Sequence, residues 1–220
     1  MRWIRSLRYR ERRVLEHSRL RWYRDETLTY RIIVRCIVPG GLRPLARISV
    51  TGLDNVPPTG PVILAANHFD NLDAYLLSHL VPRHVHFAAR QDGFGTGSPC
   101  AIWRRLGAFP ADAWGIRYAL KLLDEDGVVG LFPQGTISKD LLTQCGAAGM
   151  LALHSGAPVV PVAIRGTEDI HISSIFRGRV NICVRFGAPL AFSRRGPRTP
   201  HRSRAVSDDI LLSIRALLVD

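Results

Sequence analysis

Residues 62–77 of the 220-residue chain read VILAANHFDNLDAYLL. Five apolar residues, 62–66, run directly into a polar patch that holds His68 and Asp73, and apolar residues resume at Ala74. This pattern predicts a buried strand, a tight polar turn and the first turn of a helix. Polar side chains on a turn between two rigid elements are well placed for catalysis, so this turn is the first candidate site.

Apolar runs of strand length alternate with helical patterns along most of the chain. Strands are predicted at residues 48–53, 61–66, 84–89, 128–132, 159–164 and 180–186, and helices at residues 72–80, 102–106, 116–124, 147–154 and 210–219. A basic linker is predicted at residues 193–204, with Ser207 as the N-cap of the last helix. The alternation predicts an α/β fold in which a mixed, largely parallel sheet is flanked by helices. The loops after two buried strands, 61–66 and 128–132, are expected to face one cleft, because sites form beyond the carboxyl ends of such strands.

The start of the chain differs in composition from the remainder. Residues 1–50 hold thirteen Arg against four acidic residues, so about +9 of the formal net charge of +12 lies there. Trp and Leu among these Arg residues have imperfect helical spacing, which predicts a basic amphipathic helical segment over residues 1–38. Pro39, Gly40 and Gly41 form a predicted break. One globular domain is expected over residues 39–220.

A strongly basic segment favours a negatively charged surface or partner. We favour an anionic membrane surface, because Trp and Leu opposite Arg suit a helix at a bilayer interface. A solvated helix and a nucleic-acid-binding helix are the alternatives, but no nucleic-acid-binding module is recognisable and no nucleic acid is expected. No apolar run approaches the roughly 18 residues that span a bilayer, and no signal peptide is visible. The expected location is therefore cytoplasmic, peripheral on the inner face of the cell membrane.

Metal and disulfide chemistry have little support. The four cysteines lie far apart and form no CxxC pair, which argues against a zinc site and a disulfide framework. His84 and His86 share one face of a predicted strand. No third ligand accompanies them, so a core or surface role is favoured over a metal site.

His68 and Asp73 have the residue types of a general base and its orienting carboxylate. Imidazole exchanges protons near neutral pH, and a carboxylate at its other nitrogen fixes the tautomer and stabilises the imidazolium. A spacing of five suits a turn that feeds a helix, and Asn71 is expected to cap that helix. No G-x-S-x-G nucleophile motif is present, so the proton would come from a substrate hydroxyl or amine. The alternative is that His68 merely satisfies the turn.

Four ordered blocks carry a resemblance to a known family. They are residues 67–73 (NHFDNLD), 107–112 (GAFPAD), 132–138 (FPQGTIS) and 159–166 (VVPVAIRG). They resemble the motifs of the glycerolipid acyltransferases of phospholipid synthesis, the family of bacterial 1-acyl-glycerol-3-phosphate acyltransferase, whose first motif is NHx4D and third FPEGTRS. The resemblance covers about residues 48–190 and implies a glycerol-phosphate acyltransferase-like fold and an acyltransferase domain over residues 39–220.

The resemblance implies acyl transfer from acyl-CoA or acyl carrier protein to an acceptor hydroxyl or amine. His68 would be the general base and Asp73 its orienter, and no metal or organic cofactor is required. Residues of the blocks, together with Arg90 directly after the strand predicted at residues 84–89, are expected to bind substrate: Asn67, Arg90, Phe109, Phe132, Pro133, Gln134, Gly135 and Thr136. The turn at Gly135 and Thr136 would hold the oxyanion.

Four departures from the family pattern bear on the acceptor. Gln134 stands where the family has Glu, and Ala113, Ile137 and Gln144 stand where it commonly has Arg, Arg and Lys. Loss of bidentate Arg contacts weakens phosphate binding, so the expected acceptor is lipid-like or a small molecule without glycerol phosphate. The alternatives are a 1-acylglycerol-3-phosphate acyltransferase in which Arg90 or Arg117 compensates, and a non-catalytic lipid-binding paralogue.

Overall fold

The computed structural model describes residues 28–89, 106–134, 146–170, 179–194, 196 and 199–219. Within these residues, seven strands form one sheet in the order β1-β7-β6-β2-β5-β3-β4. The strands are β1 (Ala46–Thr51), β2 (Val62–Ala66), β3 (Val85–Ala89), β4 (Phe109–Pro110), β5 (Val128–Leu131), β6 (Val159–Arg165) and β7 (Val180–Phe186). Strands β2 to β6 are parallel to one another, while β7 runs antiparallel to β6 and parallel to β1. The predicted mixed, largely parallel sheet is confirmed.

Helices cover both faces of this sheet. They are α1 (Leu28–Ile32), α2 (Val38–Leu45), α3 (Leu72–Leu80), α4 (Ala113–Asp124), α5 (Ala147–Ser155) and α6 (Pro200–Val219). One π-helical turn, Ile33–Ile37, joins α1 to α2, and short 3-10 turns occupy Leu53–Asn55 and Thr167–Asp169. The helix predicted at residues 102–106 falls almost wholly outside the described residues.

Strand β2 is the centre of the fold. All five of its residues are buried, and β5 and β6 pair with it in parallel on either side. Successive side chains alternate between two cores, as the pleat of a strand requires: Val62 and Leu64 pack with α2 and α3, while Ile63 and Ala65 pack with α4, α5 and α6. The loops after β2, β5 and β6 therefore meet at one edge of the sheet.

The break predicted at residues 39–41 is wrong, because helix α2 runs through it. Tyr30, Val34, Val38 and Leu42 are all buried, at a spacing of four residues. An ideal α-helix has about 3.6 residues per turn and would rotate such a stripe away from the core, whereas the wider π turn before Pro39 keeps it on one face. The packing of this stripe outweighs the low helix propensity of proline and glycine. The placement of a domain boundary after residue 38 stays a prediction.

Helix α6 begins earlier than predicted. The basic segment expected to be a linker forms its first turns from Pro200, and the Thr199 hydroxyl accepts a hydrogen bond from the Arg202 amide at 3.2 Å. Ser207 does not cap this helix but lies buried within it, where its hydroxyl accepts from the Gly149 amide at 3.0 Å. A Cβ on Gly149 would stand 2.0 Å from the Ser203 carbonyl, so this close crossing of α5 and α6 requires glycine.

His84 and His86 hold the loop that enters the second block. The His86 Nδ1 lies 3.1 Å from the Gly107 carbonyl, and the two imidazole centroids are 4.1 Å apart. Burial, and then the neighbouring His84, lower the pKa of His86 to about 3, while its bond to Gly107 opposes the shift.

Among the described residues no group of three metal-ligating side chains occurs. The adjacent cavity of about 510 Å³ lies at the amino-terminal ends of β3 and β5, away from the His68 turn.

His86 should make folding stability depend on acidity. Its pKa is lower in the folded chain than the value of about 6.5 expected after unfolding, so the unfolded state binds the proton first. Stability is full above about pH 6.5 and falls by up to about 1.4 kcal/mol per pH unit towards pH 3. We expect His86→Asn, whose amide can donate to Gly107, to flatten the slope by that amount in urea unfolding. His201→Asn, on the exposed face of α6, is the matched control, and an equal slope in both variants would contradict the assignment.

Candidate active site

The Asp73 carboxylate organises the turn that follows β2. It is fully buried, and its Oδ2 accepts from the Phe69 amide at 2.7 Å and the Asp70 amide at 2.9 Å. The same Oδ2 lies 3.0 Å from Nδ1 of His68. A carboxylate so placed has strong, charge-assisted hydrogen bonds and fixes both the loop backbone and the imidazole.

Asn71 occupies the N-cap position of helix α3, as predicted, but its side chain makes no capping hydrogen bond. The Asp70 Oδ1 accepts instead from the Leu72 amide at 2.8 Å, and the Asp70 carbonyl accepts from the Asp73 amide at 3.0 Å. The shift by one residue arises because the turn wraps tightly around the Asp73 carboxylate. Asp73 consequently occupies the first helical turn and points back towards His68, as the spacing of five predicted.

The His68 imidazole is held by the hydrogen bond between its Nδ1 and the Asp73 carboxylate. An ionised carboxylate can only accept, so Nδ1 carries the proton and Nε2 keeps its lone pair. The ring stacks on Phe132 with centroids 3.9 Å apart and planes 12° apart, and Phe87 stacks behind Phe132 at 5.4 Å. The His68 side chain is 14% exposed. This arrangement fixes the orientation and the tautomer of the imidazole.

Gln134 supports the backbone of His68. Its Oε1 accepts from the His68 amide at 2.6 Å, and the side chain is buried. Gln134 follows β5 and His68 follows β2, so the two loops predicted to face one cleft are in direct contact. A glutamate at this position could accept the same hydrogen bond, which explains how the family residue can change without loss of this contact.

Asn67 ties the turn to the other neighbouring strand. Its amide nitrogen donates to the Ile164 carbonyl at 2.8 Å, and its amide oxygen accepts from the Ile164 amide at 2.7 Å. The side chain is fully buried. Asn67 therefore continues the ladder between β2 and β6 by one step and fixes where the His68 turn begins.

Thr167 belongs to the site but was not predicted from the sequence. Its hydroxyl donates to the Asp73 Oδ1 at 2.7 Å, across 94 residues of sequence, and it is buried. The available signal was weak: a hydroxyl residue stands directly after the fourth block, at the carboxyl end of a predicted strand. The structure thus brings the ends of β2, β5 and β6 together around the His68–Asp73 pair: Gln134 contacts His68, and Thr167 contacts Asp73.

Other predicted site residues lie elsewhere or beyond the described residues. Phe109 is buried in the core beside Tyr118, and Asp112 accepts from the Gly115 amide at 2.8 Å as the N-cap of α4. Arg165 donates to the Leu218 carbonyl at 2.9 Å and so caps the end of α6. Pro133 is buried two residues after the end of β5. Five predicted or discussed positions fall outside the described residues: Arg90, Gly135, Thr136, Ile137 and Gln144.

The family model described as Acyltransferase matches residues 47–165, which is more than half of the chain. The chain belongs to the acyltransferase family. The matched region begins in β1 and ends with β6, so it includes the His68 turn, Gln134 and the strand that leads to Thr167. The predicted resemblance to glycerolipid acyltransferases is confirmed.

Curated relatives of this acyltransferase support the same grouping. The chain is 29% identical over 129 residues to a 1-acyl-sn-glycerol-3-phosphate acyltransferase of Bacillus subtilis, covering 56% of this chain and 64% of that protein. It is 31% identical over 166 residues to one of Chlamydomonas reinhardtii, covering 66% and 48%. It is 27% identical over 135 residues to 1-acyl-sn-glycerol-3-phosphate acyltransferase alpha of Ovis aries, covering 57% and 47%. The chain thus spans about half to two thirds of the length of these relatives.

The fold of this acyltransferase is similar to one known from a crystal structure. The 1-acyl-sn-glycerophosphate acyltransferase PlsC of Thermotoga maritima aligns with a TM-score of 0.64 and 21% identity, over 92% of this chain and 86% of that one. The predicted acyltransferase-like fold is therefore confirmed. In the described part of the chain, no helix combines the length and apolar character needed to cross a bilayer.

Proposed function

We propose that this acyltransferase moves a fatty acyl group directly from a thioester to the hydroxyl of a lipid-like acceptor. The observation that carries the proposal is the buried Asp73 carboxylate on Nδ1 of His68, which leaves Nε2 as a base. The acceptor O–H gives its proton to Nε2 while its oxygen bonds to the thioester carbonyl carbon. The C–S bond then breaks, and the proton on Nε2 passes to the leaving thiolate.

The Asp73 carboxylate supplies the charge that this step needs. The imidazolium that forms on His68 lies 3.0 Å from Oδ2, and the site around the carboxylate is buried. Charge pairs are stronger in such surroundings than in water. General-base catalysis of this kind typically contributes about 10²–10⁴-fold. The turn at Gly135 and Thr136 remains the proposed oxyanion site, and acyl-CoA or acyl carrier protein the proposed donor.

The acceptor proposal rests on charge. Gln134, Ala113, Ile137 and Gln144 are neutral where the family commonly has a charged residue, and Arg165 is engaged at the end of α6. Fewer cations at the site disfavour a phosphate head group. We therefore place an uncharged lipid alcohol first. The second candidate is 1-acyl-sn-glycerol-3-phosphate, favoured by the names of the relatives, with Arg90 or Arg117 as the compensating cation.

An anionic membrane surface is the proposed place of action. Leu28, Ile32 and Ile37 are exposed on the helical segment before the domain, and residues 1–50 carry thirteen Arg. Apolar side chains beside basic ones suit the bilayer interface, where each basic residue near an anionic surface contributes about 1 kcal/mol. A lipid acceptor would be reached there without leaving the bilayer.

A single acceptor comparison tests both proposals. Purified protein is given palmitoyl-CoA with either monoacylglycerol or lysophosphatidic acid, each in phosphatidylcholine vesicles with or without phosphatidylglycerol, and free thiol and acylated product are measured. We expect monoacylglycerol to be acylated at least about tenfold faster than lysophosphatidic acid. The phosphate of lysophosphatidic acid would lack at least one charge-assisted hydrogen bond, and such a loss lowers the rate by about that factor. Anionic vesicles should raise the rate at low salt only.

His68→Asn provides the blank for this comparison, because its amide can replace the Nδ1 donor but not the base. Faster turnover of lysophosphatidic acid would overturn the uncharged acceptor and support the second candidate. Equal rates on both vesicle types, at low and at high salt, would count against the membrane proposal. No thiol release above the blank from either acceptor would favour the non-catalytic lipid-binding alternative.

A further inference from the structure

We propose that Thr167 is a positioning residue of the site, which acts on His68 through the second oxygen of Asp73. The inference deepens the proposed function and rests on it. Among the described residues, Thr167 is the hydroxyl donor to Oδ1, while Oδ2 receives the donors from His68, Phe69 and Asp70. The two carboxylate oxygens thus face two different sets of partners.

The orientation of the carboxylate depends on this division. The terminal torsion of aspartate is soft, with broad preferences, so hydrogen bonds set the direction of Oδ2. The Phe69 and Asp70 amides act on Oδ2 itself, and the Thr167 hydroxyl acts on Oδ1. A donor on Oδ1 from the opposite side stops the group from turning. With both groups almost fully buried, no bulk water can replace the hydroxyl. Thr167 therefore acts together with the Phe69 and Asp70 amides to keep Oδ2 in line with Nδ1 of His68.

The Thr167 hydroxyl is positioned by an unusual backbone conformation at the residue before it. Gly166 has a positive φ of 88°, and a Cβ there would stand 2.2 Å from the Asn181 carbonyl. Its amide donates to the Glu168 carboxylate at 3.0 Å, and the Ile170 amide donates to the Thr167 carbonyl at 3.2 Å. Hydrogen bonds therefore fix the turn after β6 both before Thr167, at the Gly166 amide, and at Thr167 itself, at its carbonyl. The paired hydrogen bonds between Asn67 and Ile164 fix the same strand end relative to the His68 turn.

Two substitutions separate the hydroxyl from the volume of the side chain. Thr167→Val keeps the shape and removes the donor, whereas Thr167→Ser keeps the donor and removes a methyl group. Positioning predicts that kcat falls roughly 10- to 100-fold in Thr167→Val, the range for a hydrogen bond to a charged group, with the KM of the acyl donor unchanged. Thr167→Ser should stay within about threefold of the wild type. A packing role predicts the reverse order.

A readout independent of turnover accompanies these rates. The Nδ1 proton of His68, bonded to carboxylate, should give a hydrogen-bonded NMR signal in the wild type and in Thr167→Ser. We expect the signal to be lost or broadened in Thr167→Val. Thr51→Val, the same change on the exposed end of edge strand β1, controls for the substitution itself. Each variant is measured well below its melting temperature.

The outcomes separate this inference from the proposed function. If His68→Asn is inactive while Thr167→Val keeps the wild-type kcat and Nδ1 signal, the inference fails and the proposed function stands. Equal losses of kcat in Thr167→Val and Thr167→Ser would also overturn it. If His68→Asn is as active as the wild type, both fail.

Discussion

His68→Ala should lower kcat by about 10²–10⁴-fold, the usual contribution of a positioned general base. The variant removes Nε2, and with it the group that takes the acceptor proton as the oxygen attacks the thioester. The acyl donor should bind much as before, because the change lies at the reacting atoms, so the loss should fall on kcat rather than on KM. Thiol release from palmitoyl-CoA in the presence of acceptor is the measurement.

Two further variants make the result interpretable. His68→Asn places an amide donor near Nδ1 and should keep the contact with Asp73 and the folding stability, yet be as inactive as His68→Ala. His201→Ala, on the exposed face of α6, should leave the rate unchanged. Rates within a few fold of the wild type in both His68 variants would show that the base is another group.

Asp73→Asn should lower kcat by about 10²-fold or more while the protein stays folded. The amide oxygen can accept from Phe69, Asp70 and His68, as Oδ2 does, and the amide nitrogen can donate to the Thr167 hydroxyl. The hydrogen-bond count and the His68 tautomer are therefore preserved, and only the negative charge beside the forming imidazolium is lost. Steady-state kinetics and urea unfolding of the same sample measure the two effects separately.

Asp73→Ala tests the structural role of Asp73 as the hydrogen-bond acceptor for the loop amides. Two half-buried backbone amides, of Phe69 and Asp70, lose their acceptor, and an unsatisfied donor costs up to about 1–3 kcal/mol. A stability loss of several kcal/mol is expected on top of the loss of activity. Asp54→Asn, on an exposed 3-10 turn, is the matched control for Asp73→Asn. The charge argument would fail if Asp73→Asn kept the wild-type kcat.

The central part of the fold could be predicted from sequence because local and global signals agree there. The prediction of helix α3 at residues 72–80 is confirmed, since an apolar run is bounded by a polar turn and by Pro82. Strand β2 reads as a continuous apolar run because it is buried on both faces between parallel neighbours. The loops after β2 and β5 meet, as the rule for carboxyl ends of parallel strands predicts.

The prediction failed where contacts between distant segments decide the local structure. Helix α2 crosses Pro39, Gly40 and Gly41 because a buried stripe holds it against the domain. Helix α6 begins at Pro200, although proline at a first helical position after a threonine is itself a start signal that the basic composition obscured. Ser207 resembled an N-cap, yet it serves the first turn of α5 instead.

In the site, too, local features could be predicted from sequence and contacts between distant segments could not. The spacing of His68 and Asp73 indicated a pair, and the structure places them 3.0 Å apart. The partners that hold the pair come from other loops: Gln134 lies 66 residues from His68, and Thr167 lies 94 residues from Asp73. No periodicity connects such positions, so only the folded sheet reveals that the ends of β2, β5 and β6 meet at the His68–Asp73 pair.

Thiol release in the presence and absence of acceptor tests direct transfer most closely. Rapid mixing of palmitoyl-CoA with wild-type protein should release no thiol until a lipid alcohol is added. After that, one thiol should appear for each acylated acceptor, and His68→Asn should release none above background. A burst of one thiol per protein without acceptor would reveal an acyl-enzyme and contradict direct transfer, and equal release by His68→Asn would contradict the role of His68 as the base.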